Sequence, residues 1–498
     1  MPMIHLSLID ILIILLYFGS VIYVGFRSAQ KTVTAEVDYL LAGRSLTLPV
    51  FVMTLVSTWY GGILGVGEFS FRYGISNWVV QGLPYYIFAA VFAFFLAKKI
   101  RATNLYSIPD KLALAYDNKT ALLGSVLTFI LMTPAPYILM LSVFLQMLFG
   151  WSLVVSVVIT AIVTLPYLCF GGFRSDVQTD VLEFILMFLG FAVIIPFCIS
   201  SYGGFEFLQS NLPPLHLTWH GGNSTQYIIV WFFIALWTLV DPAFHQRCYA
   251  AKDGSTAQKG ILISIIFWFI FDCMTATAGL YARAALPNLQ QPMMAYPMLA
   301  ETILPPIAKG MFYVGMLATI MSTLNTLAFV SAQTLGRDII CRFQMADYRL
   351  GSKTGQNLKS KIPARRFALA GGRNPKFLNV ARFTQIGLII SFALSAILAL
   401  TIPSVIKLWY TIGTVVIPGL LVPLMASYFE RFKIPTRYAF LSMLLGWLTS
   451  LGWLIAGYVS GASGSYPLGI EPMYPGLFVS LLIWGIGRFQ APVHRTSS

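Results

Sequence analysis

The chain alternates between long apolar segments and short polar ones. Most apolar segments are about 20 residues or longer, the length at which an α-helix crosses the hydrocarbon core of a bilayer. Ten-residue segments of alternating polarity, typical of a membrane β-barrel, do not occur, so the pattern predicts an all-α integral membrane protein. Thirteen spans are predicted, at about Leu6–Phe26, Leu46–Tyr73, Asn77–Ala97, Thr120–Phe149, Trp151–Phe170, Ser175–Ser201, Gln226–His245, Gly260–Ala285, Gly310–Leu335, Ala381–Leu400, Val405–Phe429, Tyr438–Tyr458 and Tyr474–Ile486.

The composition agrees with this pattern and excludes several classes of protein. Of the 498 residues, 57% are hydrophobic and only 10% are charged, whereas soluble domains average about 25% charged residues. The five cysteines have no paired or metal-like spacing. Because neither a catalytic constellation nor a phosphate-binding loop is present, we do not expect an enzyme.

The net charge of +14 follows from where the basic residues lie between the spans. If the N-terminus is outside, almost all basic clusters fall on the cytoplasmic side, as the positive-inside rule requires. We therefore expect a multi-pass protein of the plasma (inner) membrane, with a cytoplasmic C-terminus and no nucleic-acid partner. The cytoplasmic clusters are Arg27, Lys31 and Arg44; Lys98, Lys99 and Arg101; Arg247, Lys252 and Lys259; Arg337 to Arg382; Arg431, Lys433 and Arg437; and Arg488 and Arg495.

The cytoplasmic loop at residues 336–380 is the one sizeable polar segment. Two interpretations of its basic residues are open. They form either an ordinary solvated loop or a patch that holds anionic lipid head groups. These residues are Lys353, Lys359, Lys361, Arg365, Arg366, Arg373 and Lys376.

The second span contains an unusual stretch, Thr54–Glu68. It carries Gly61, Gly62, Gly65 and Gly67, and each glycine weakens a helix by about 1 kcal/mol relative to alanine. Irregular backbone at membrane depth is tolerated only where protein buries it or where it lines a wet cavity. The stretch therefore predicts a transmembrane helix that is interrupted in its middle.

The seventh span is predicted to break as well, at Asp241 and Pro242. Proline removes a helical hydrogen bond, and a carboxylate is costly in hydrocarbon. Two interrupted spans five helices apart are typical of inverted-repeat transporters, although two independent kinks are the alternative. The repeat predicts a peripheral helix and cytoplasmic loop in residues 1–45, a first repeat in 46–201, an external loop in 202–225, a second repeat in 226–429, and two peripheral helices with a cytoplasmic tail in 430–498.

The ninth span has a polar face. The hydroxyl residues Thr319, Ser322, Thr323 and Thr326 recur at spacings of three and four, with Asn325 among them. Such hydroxyls commonly bond to their own helix or to a neighbouring one. Oxygen atoms are also the ligands that hard cations prefer. Opposite a broken helix with free carbonyl groups, this face predicts a sodium site.

Carboxylates inside the spans are functional candidates because they are costly in hydrocarbon. Asp180 and Glu183 lie more than one turn inside the sixth span. Asp272 falls near the middle of the eighth span, and Glu68 lies in the outer half of the second. For Asp272 and Glu68, substrate binding, proton uptake and simple pairing with a hydroxyl or with Arg72 are all open.

Six motifs along the chain carry a family resemblance: "DYLLAGRSL", "STWYGGILGVGEFSFRYG", "SIPDKL", "GGFRSDVQTDVLEF", "HQRCYAAKDGSTAQKG" and "ATIMSTLNT". In this order they resemble the sodium:solute symporter family over about residues 8–488. That family includes bacterial proline, galactose, sialic acid and pantothenate symporters. The resemblance implies a LeuT-type core of two inverted five-helix repeats.

The resemblance also implies a sodium site between the first and eighth core helices. Backbone carbonyls of the former and carbonyl and hydroxyl oxygens of the latter would hold the ion. The matching positions are Leu55, Thr58, Thr319, Ser322 and Thr323.

Some members of the family hold a second sodium between core helices five and eight. The matching positions in this chain are Asp180, Ser322, Asn325 and Thr326. Members that use this site often have serine where Asn325 stands.

The implied substrate pocket lies between the two breaks. The galactose transporter's pocket lysine is replaced by Trp268, and the fourth span lacks the arginine of the sialic acid members. With acidic residues nearby, a neutral or amine-bearing solute fits better than an anion. The candidate pocket residues are Trp59, Gly61, Gly62, Gln81, Trp237 and Asp241.

These observations predict a secondary active transporter. It would couple sodium entry to uptake of a small polar organic solute by alternating access, and it would work as a monomer. Two alternatives are a proton-coupled transporter of the same fold and a sensor or channel that does not pump. Only about ten residues follow the last span, which counts against a sensor with an appended signalling domain.

Overall fold

The computed structural model describes residues 4–30, 36–342, 375–402, 405–459 and 466–490. Within these ranges the chain is helical and forms no strand. The predicted lipid-binding residues Lys353 to Arg373 lie outside the described residues. The α-helices are α1 (Leu8–Gln30), α2 (Glu36–Leu41), α3 (Leu48–Trp59), α4 (Ile63–Tyr73), α5 (Leu83–Phe92), α6 (Lys98–Ala102), α7 (Ile108–Ala115), α8 (Asn118–Leu131), α9 (Ala135–Phe149), α10 (Leu153–Tyr202), α11 (Phe205–Asn211), α12 (Thr225–Ile234), α13 (Trp237–Val240), α14 (Pro242–Ala250), α15 (Gly254–Ala285), α16 (Ala295–Ile303), α17 (Ala308–Gln333), α18 (Pro375–Thr401), α19 (Val405–Ser427), α20 (Thr436–Val459) and α21 (Met473–Gln490).

The described helices account for the predicted spans. Ten continuous helical stretches of the described residues, several of them made of consecutive helices, are long and apolar enough to cross a membrane, and the pair α3 and α4 forms an eleventh, broken span. The 50-residue α10 contains the fifth and sixth predicted spans. Such a helix would be about 75 Å long if straight, but Gly172 interrupts it with a left-handed φ of 58°. The last predicted span coincides with α21.

The second span breaks where its glycines are. Helix α3 ends at Trp59, α4 begins at Ile63, and their axes differ by 59°. Gly61 and Gly62 lie in the gap, where neighbouring side chains leave no space for a Cβ atom. The predicted interruption of this helix is confirmed.

The seventh span also breaks at the predicted residues. Asp241 has extended backbone angles (φ −66°, ψ 115°) between α13 and α14, and Pro242 is the first residue of α14. Proline is favoured there because the first turn of a helix needs no hydrogen bond from its N–H. However, α14 continues to Ala250, beyond the predicted end of the span at His245. The extra turn carries Arg247 into the protein interior.

Helix α17 lies at the centre of the molecule. Its most apolar window is buried along its whole length, whereas less than a third of the corresponding window of α1 is buried. The main neighbours of α17 are α10, α18 and α1. Because protein surrounds α17, its polar side chains must find partners on other helices.

At the predicted cytoplasmic end, Asp110 ties several elements together. Its carboxylate lies 2.9 Å from Arg337 Nη1 and 2.8 Å from Arg342 Nη2. Arg337 also reaches Glu36 at 2.8 Å. Burial by itself raises the pKa of Asp110, but the two guanidinium groups outweigh it and hold this pKa below its usual value of 3.8. Asp110 belongs to the "SIPDKL" motif, which therefore has a structural role.

Candidate functional site

The broken span and the buried helix meet at Thr58 and Thr323. The hydroxyl of Thr323 on α17 donates a hydrogen bond to the backbone carbonyl of Thr58 near the end of α3, at 2.5 Å. A Cβ atom on Gly61 would lie 2.3 Å from Thr323, so glycine is required for this approach. The structure therefore brings a hydroxyl of the predicted sodium face against a carbonyl at the helix break.

The other predicted sodium ligands lie around the same contact. Ser322 directs its hydroxyl to Asp180 Oδ1 at 2.5 Å. Thr319 donates its hydroxyl to the Gly315 carbonyl within α17 at 2.6 Å. Leu55, one turn before Thr58 on α3, borders the neighbouring cavity. These positions surround the junction of α3 and α17.

A buried ion-pair cluster lies beside this junction. Arg247 Nη2 is 3.0 Å from Asp180 Oδ2 and 3.9 Å from Asp176 Oδ2. All three side chains are fully buried. A buried charge is tolerated only when it is paired and hydrogen-bonded, and the two carboxylates provide that for the guanidinium.

The same guanidinium nitrogen also contacts three threonine hydroxyls. Arg247 Nη2 lies 2.9 Å from Thr54 Oγ1, 2.5 Å from Thr58 Oγ1 and 3.0 Å from Thr326 Oγ1. With Asp180 Oδ2, four oxygens from four residues surround one cationic nitrogen. The prediction that Arg247 belongs to a cytoplasmic loop cluster is wrong, because α14 continues past it and buries it.

Of the four residues of the predicted second sodium site, Asp180 and Thr326 both contact Arg247 Nη2, whereas Asn325 has a different partner. Asp180 and Ser322 bond to each other, and Arg247 contacts the same carboxylate. Asn325 instead accepts a hydrogen bond from the Tyr167 hydroxyl at 2.8 Å. Thr326 donates to Asp176 Oδ2 at 2.8 Å. The cationic group that contacts Asp180 and Thr326 is the guanidinium of Arg247.

A cavity of about 130 Å³ lies between the two helix breaks. Of the predicted pocket residues, Trp59, Gly62, Gln81, Trp237 and Asp241 line it, together with Thr58 and Thr323 of the junction between α3 and α17. Gly61 does not line it, and packs against Thr323 and Tyr137 instead. Several aromatic residues that sequence reasoning missed complete the lining: Tyr60, Tyr85, Tyr137, Trp231, Phe244 and Trp409.

Asp241 has a structural role as well as a place in the cavity wall. Its Oδ1 accepts hydrogen bonds from the backbone N–H groups of Ala243 and Phe244, at 2.7 and 3.1 Å. These bonds cap the N-terminus of α14. Its Oδ2 accepts a hydrogen bond from Trp237 Nε1 at 3.1 Å. Asp241 thus fixes the second break while its carboxylate faces the cavity.

The remaining membrane carboxylates have partners away from the cavity. Glu68 pairs with Arg72 at 3.0 Å, one turn along α4. Glu183 accepts a hydrogen bond from the Tyr17 hydroxyl at 3.1 Å, and Asp272 accepts one from Tyr86. Glu68 and Asp272 thus each have a partner, while substrate binding and proton uptake stay open for both.

Comparison with solved structures identifies the fold. The chain superimposes on a Na⁺-coupled sialic acid symporter, in its substrate-bound outward-open state, with a TM-score of 0.73. The match covers 98% of both chains at 15% sequence identity, so it concerns the fold. The predicted LeuT-type membrane fold is confirmed.

Comparison of sequences identifies the family. The profile of the sodium:solute symporter family matches residues 39–349. The sodium/pantothenate symporter of Haemophilus influenzae is 27% identical over 340 residues, which cover 65% of this chain and 69% of the relative. That of Escherichia coli K12 is 25% identical over 503 residues, covering 96% and 95%. The chain belongs to the sodium:solute symporter family, and its activity is sodium-coupled symport of a solute.

The family membership confirms the predicted class of protein and sodium as the co-transported ion. The sequence analysis missed Thr54, Arg247, Tyr137, Trp231 and Trp409. No local pattern distinguished Arg247 from the basic loop residues Lys252 and Lys259 that follow it. Tyr137 and Trp409 come from distant parts of the chain, and only the fold brings them to the cavity.

Proposed function

We propose that one sodium ion binds at the junction of α3 and α17. Its ligands are the backbone carbonyls of Leu55, Thr58 and Thr319 and the hydroxyls of Ser322 and Thr323. The hydrogen bond between Thr323 and the Thr58 carbonyl carries this proposal, because it brings two of the proposed ligand oxygens to 2.5 Å. A cation beside this pair would be held by a lone pair of the Thr323 hydroxyl, which keeps its proton, and by the Thr58 carbonyl oxygen.

Sodium is coupled to the solute because the two sites share residues. Thr58 and Thr323 border both the junction and the cavity between the breaks. An ion that holds α3 against α17 orders the cavity wall and raises affinity for the solute, and linkage requires the solute to raise affinity for sodium by the same factor. Alternating access then carries both into the cell, with the N-terminus outside and the C-terminus cytoplasmic.

One sodium ion supplies enough energy for accumulation. A membrane potential of 100 mV contributes about 2.3 kcal/mol per charge, and a tenfold sodium gradient adds about 1.4 kcal/mol. Together they support roughly several-hundred-fold accumulation of a neutral solute. We propose that the transporter works as a monomer.

We propose that Arg247 takes the place of a second sodium ion. Its Nη2 atom is bound by Asp180, Thr54, Thr58 and Thr326, which is an oxygen environment of the kind a cation needs. A fixed guanidinium there neutralises Asp180 without a mobile ion. The stoichiometry is then one sodium per solute.

The sodium site is tested by the matched variants Thr323→Val and Thr323→Ser. Valine keeps the shape of threonine and removes the oxygen, whereas serine keeps the oxygen. We expect NaCl to raise the melting temperature of the purified protein more than KCl does at equal ionic strength. The sodium concentration for half-maximal stabilisation should rise at least about tenfold in Thr323→Val, or roughly 1.4 kcal/mol, and change little in Thr323→Ser. Equal sodium responses in both variants would exclude Thr323 as a ligand.

A further inference from the structure

The geometry of the cavity points to the class of solute: a small organic cation, either an amine or a quaternary ammonium, that also carries an oxygen acceptor. This inference rests on the proposed function, since it takes the cavity between the helix breaks as the solute site. Four features of the cavity wall support it: its charge, its capped helix end, its aromatic faces and its unpaired indole N–H groups.

The charge of the cavity wall is negative. Among the described lining residues, Asp241 has the one carboxylate, and none is Lys, Arg or His. The nearest guanidinium, that of Arg247, lies one turn after the cavity residue Ala243 on α14 and contacts its carbonyl oxygen at 3.5 Å. Its charge is already balanced by Asp180 and Asp176. A solute carboxylate would therefore meet Asp241 with no cation available to neutralise it.

The helix end at the second break is closed to anions. A free helix N-terminus attracts anionic groups through its unpaired N–H groups and its dipole. In α14 the Asp241 carboxylate accepts from the N–H groups of Ala243 and Phe244 and so occupies that position. The opposite end of the first break contributes the carbonyl terminus of α3, where the helix dipole favours a cation.

Aromatic rings surround the space in front of Asp241. Trp59 packs edge to face against Tyr85 and Phe244, with ring centroids 5.1 and 5.3 Å apart. On the other side, Tyr137 and Trp409 lie 6.0 Å apart, and Trp409 contacts the backbone at Gly62. Faces of Trp and Tyr attract organic cations, and the attraction is stronger in a desolvated site. A carboxylate among several such rings is suited to an alkylammonium group.

Two indole N–H groups identify a second part of the solute. The indole rings of Trp231 and Trp409 line the cavity, and their buried Nε1 atoms make no hydrogen bond of ordinary geometry within the described residues. The Tyr227 and Tyr137 hydroxyls are the side-chain oxygens beside them. Burying a donor without an acceptor is costly. A hydroxyl or carbonyl oxygen on the solute would satisfy them. The solute thus combines a cationic group for Asp241 with an oxygen for the tryptophans.

The test compares two ligands of the same shape and different charge. Choline and its neutral isostere 3,3-dimethylbutan-1-ol carry the same hydroxyl and the same branched head. Binding to the purified full-length protein is measured by isothermal titration calorimetry in NaCl, with KCl as the control salt. We expect choline to bind at least about tenfold more tightly than the isostere. Equal affinities, no binding of choline, or tighter binding of the anion pantothenate would overturn the assignment.

The matched variant is Asp241→Asn. Asparagine caps a helix as well as aspartate does, so the break is kept, while the charge and the oxygen that accepts from Trp237 Nε1 are lost. We expect the variant to lose at least about tenfold in affinity for choline, with the weak binding of the isostere unchanged. An unchanged affinity for choline would contradict the role of Asp241.

The sodium response of the same samples separates this inference from the proposed function. Stabilisation by NaCl that requires Thr323, without binding of choline, would reject the organic cation and leave sodium symport standing. If NaCl stabilises the native protein no more than KCl does, the proposed sodium site is rejected instead.

Discussion

Arg247 is the residue on which the polar interior depends most. Its guanidinium is fully buried and contacts Asp180 at 3.0 Å and Asp176 at 3.9 Å. Removing one partner of a buried ion pair typically costs about 3–5 kcal/mol, because the other charge is left uncompensated. The threonine hydroxyls around Arg247 cannot replace its positive charge.

This pairing predicts the behaviour of a double-mutant cycle. Arg247→Met should lower the unfolding free energy by about 3–5 kcal/mol. Asp180→Asn together with Arg247→Met should cost less than the sum of the two single substitutions, since neither charge then lacks its partner. The measurement is thermal or denaturant unfolding of the four proteins in detergent. Strictly additive effects would contradict the ion pair.

The sequence predicted the polar residues of α17 but not their individual partners. Helical periodicity was enough to put Thr319, Ser322 and Thr323 on one face. Each hydroxyl nevertheless has a different partner: Gly315 in the same helix, Asp180 on α10 and Thr58 on α3. Those partners depend on contacts between helices far apart in the chain, which no local pattern contains.

At the scale of elements, the glycines of the first break act by their small size. A Cβ atom on Gly62 would lie 2.1 Å from the Trp409 ring. One on Gly61 would lie 2.3 Å from Thr323. The break therefore depends on close packing of α3 and α4 against α17 and α19, and not on helix propensity alone.

The glycine packing gives a prediction with internal controls. Gly61→Ala and Gly62→Ala should each destabilise the protein by about 1–3 kcal/mol through overpacking and should impair solute transport. A Cβ atom on Gly19 or Gly452 would meet no neighbouring group of the described chain within 4 Å, so alanine there should be neutral or stabilise the helix by up to about 1 kcal/mol. Melting temperatures and uptake into proteoliposomes check both pairs. Equal effects at all four positions would contradict the packing argument.

The Asp110 cluster predicts a dependence of stability on pH. Arg337 and Arg342 lower the pKa of Asp110 below 3.8, so the folded state favours the ionised carboxylate. The stabilisation is complete above the unfolded pKa and is lost as the pH falls below about 3.8 through the folded pKa. Comparison of unfolding between pH 5 and pH 3 should show a larger loss for the native protein than for Asp110→Asn. If the native protein and Asp110→Asn lose the same stability between pH 5 and pH 3, Asp110 does not contribute to the loss of stability in acid.

Both helix breaks could be predicted from the sequence because their causes are local. Glycines within one turn, or an Asp-Pro pair, disrupt a helix wherever they stand. The end of α14 could not be predicted in the same way. A basic residue after an apolar span normally lies in a cytoplasmic loop. For Arg247, pairing with Asp180 and Asp176 overrides that preference.

At the scale of the molecule, the two breaks and α17 form one unit. The proposed sodium site and the cavity share Thr58 and Thr323, so an ion bound at the proposed site would change the wall of the cavity. Family membership establishes that sodium and solute move together, and the shared residues supply a physical reason. The proposed repeat boundaries and ligand roles stay predictions.

The most direct test of this account is the effect of sodium on solute affinity. A thermal-shift screen in NaCl identifies a binding solute, and calorimetry then gives its Kd at saturating sodium and in KCl. We predict that sodium tightens solute binding at least about tenfold in the native protein and in Thr323→Ser, and that this effect is lost in Thr323→Val. A solute affinity that is the same in NaCl and KCl, or a sodium effect that persists undiminished in Thr323→Val, would contradict coupling through the junction of α3 and α17.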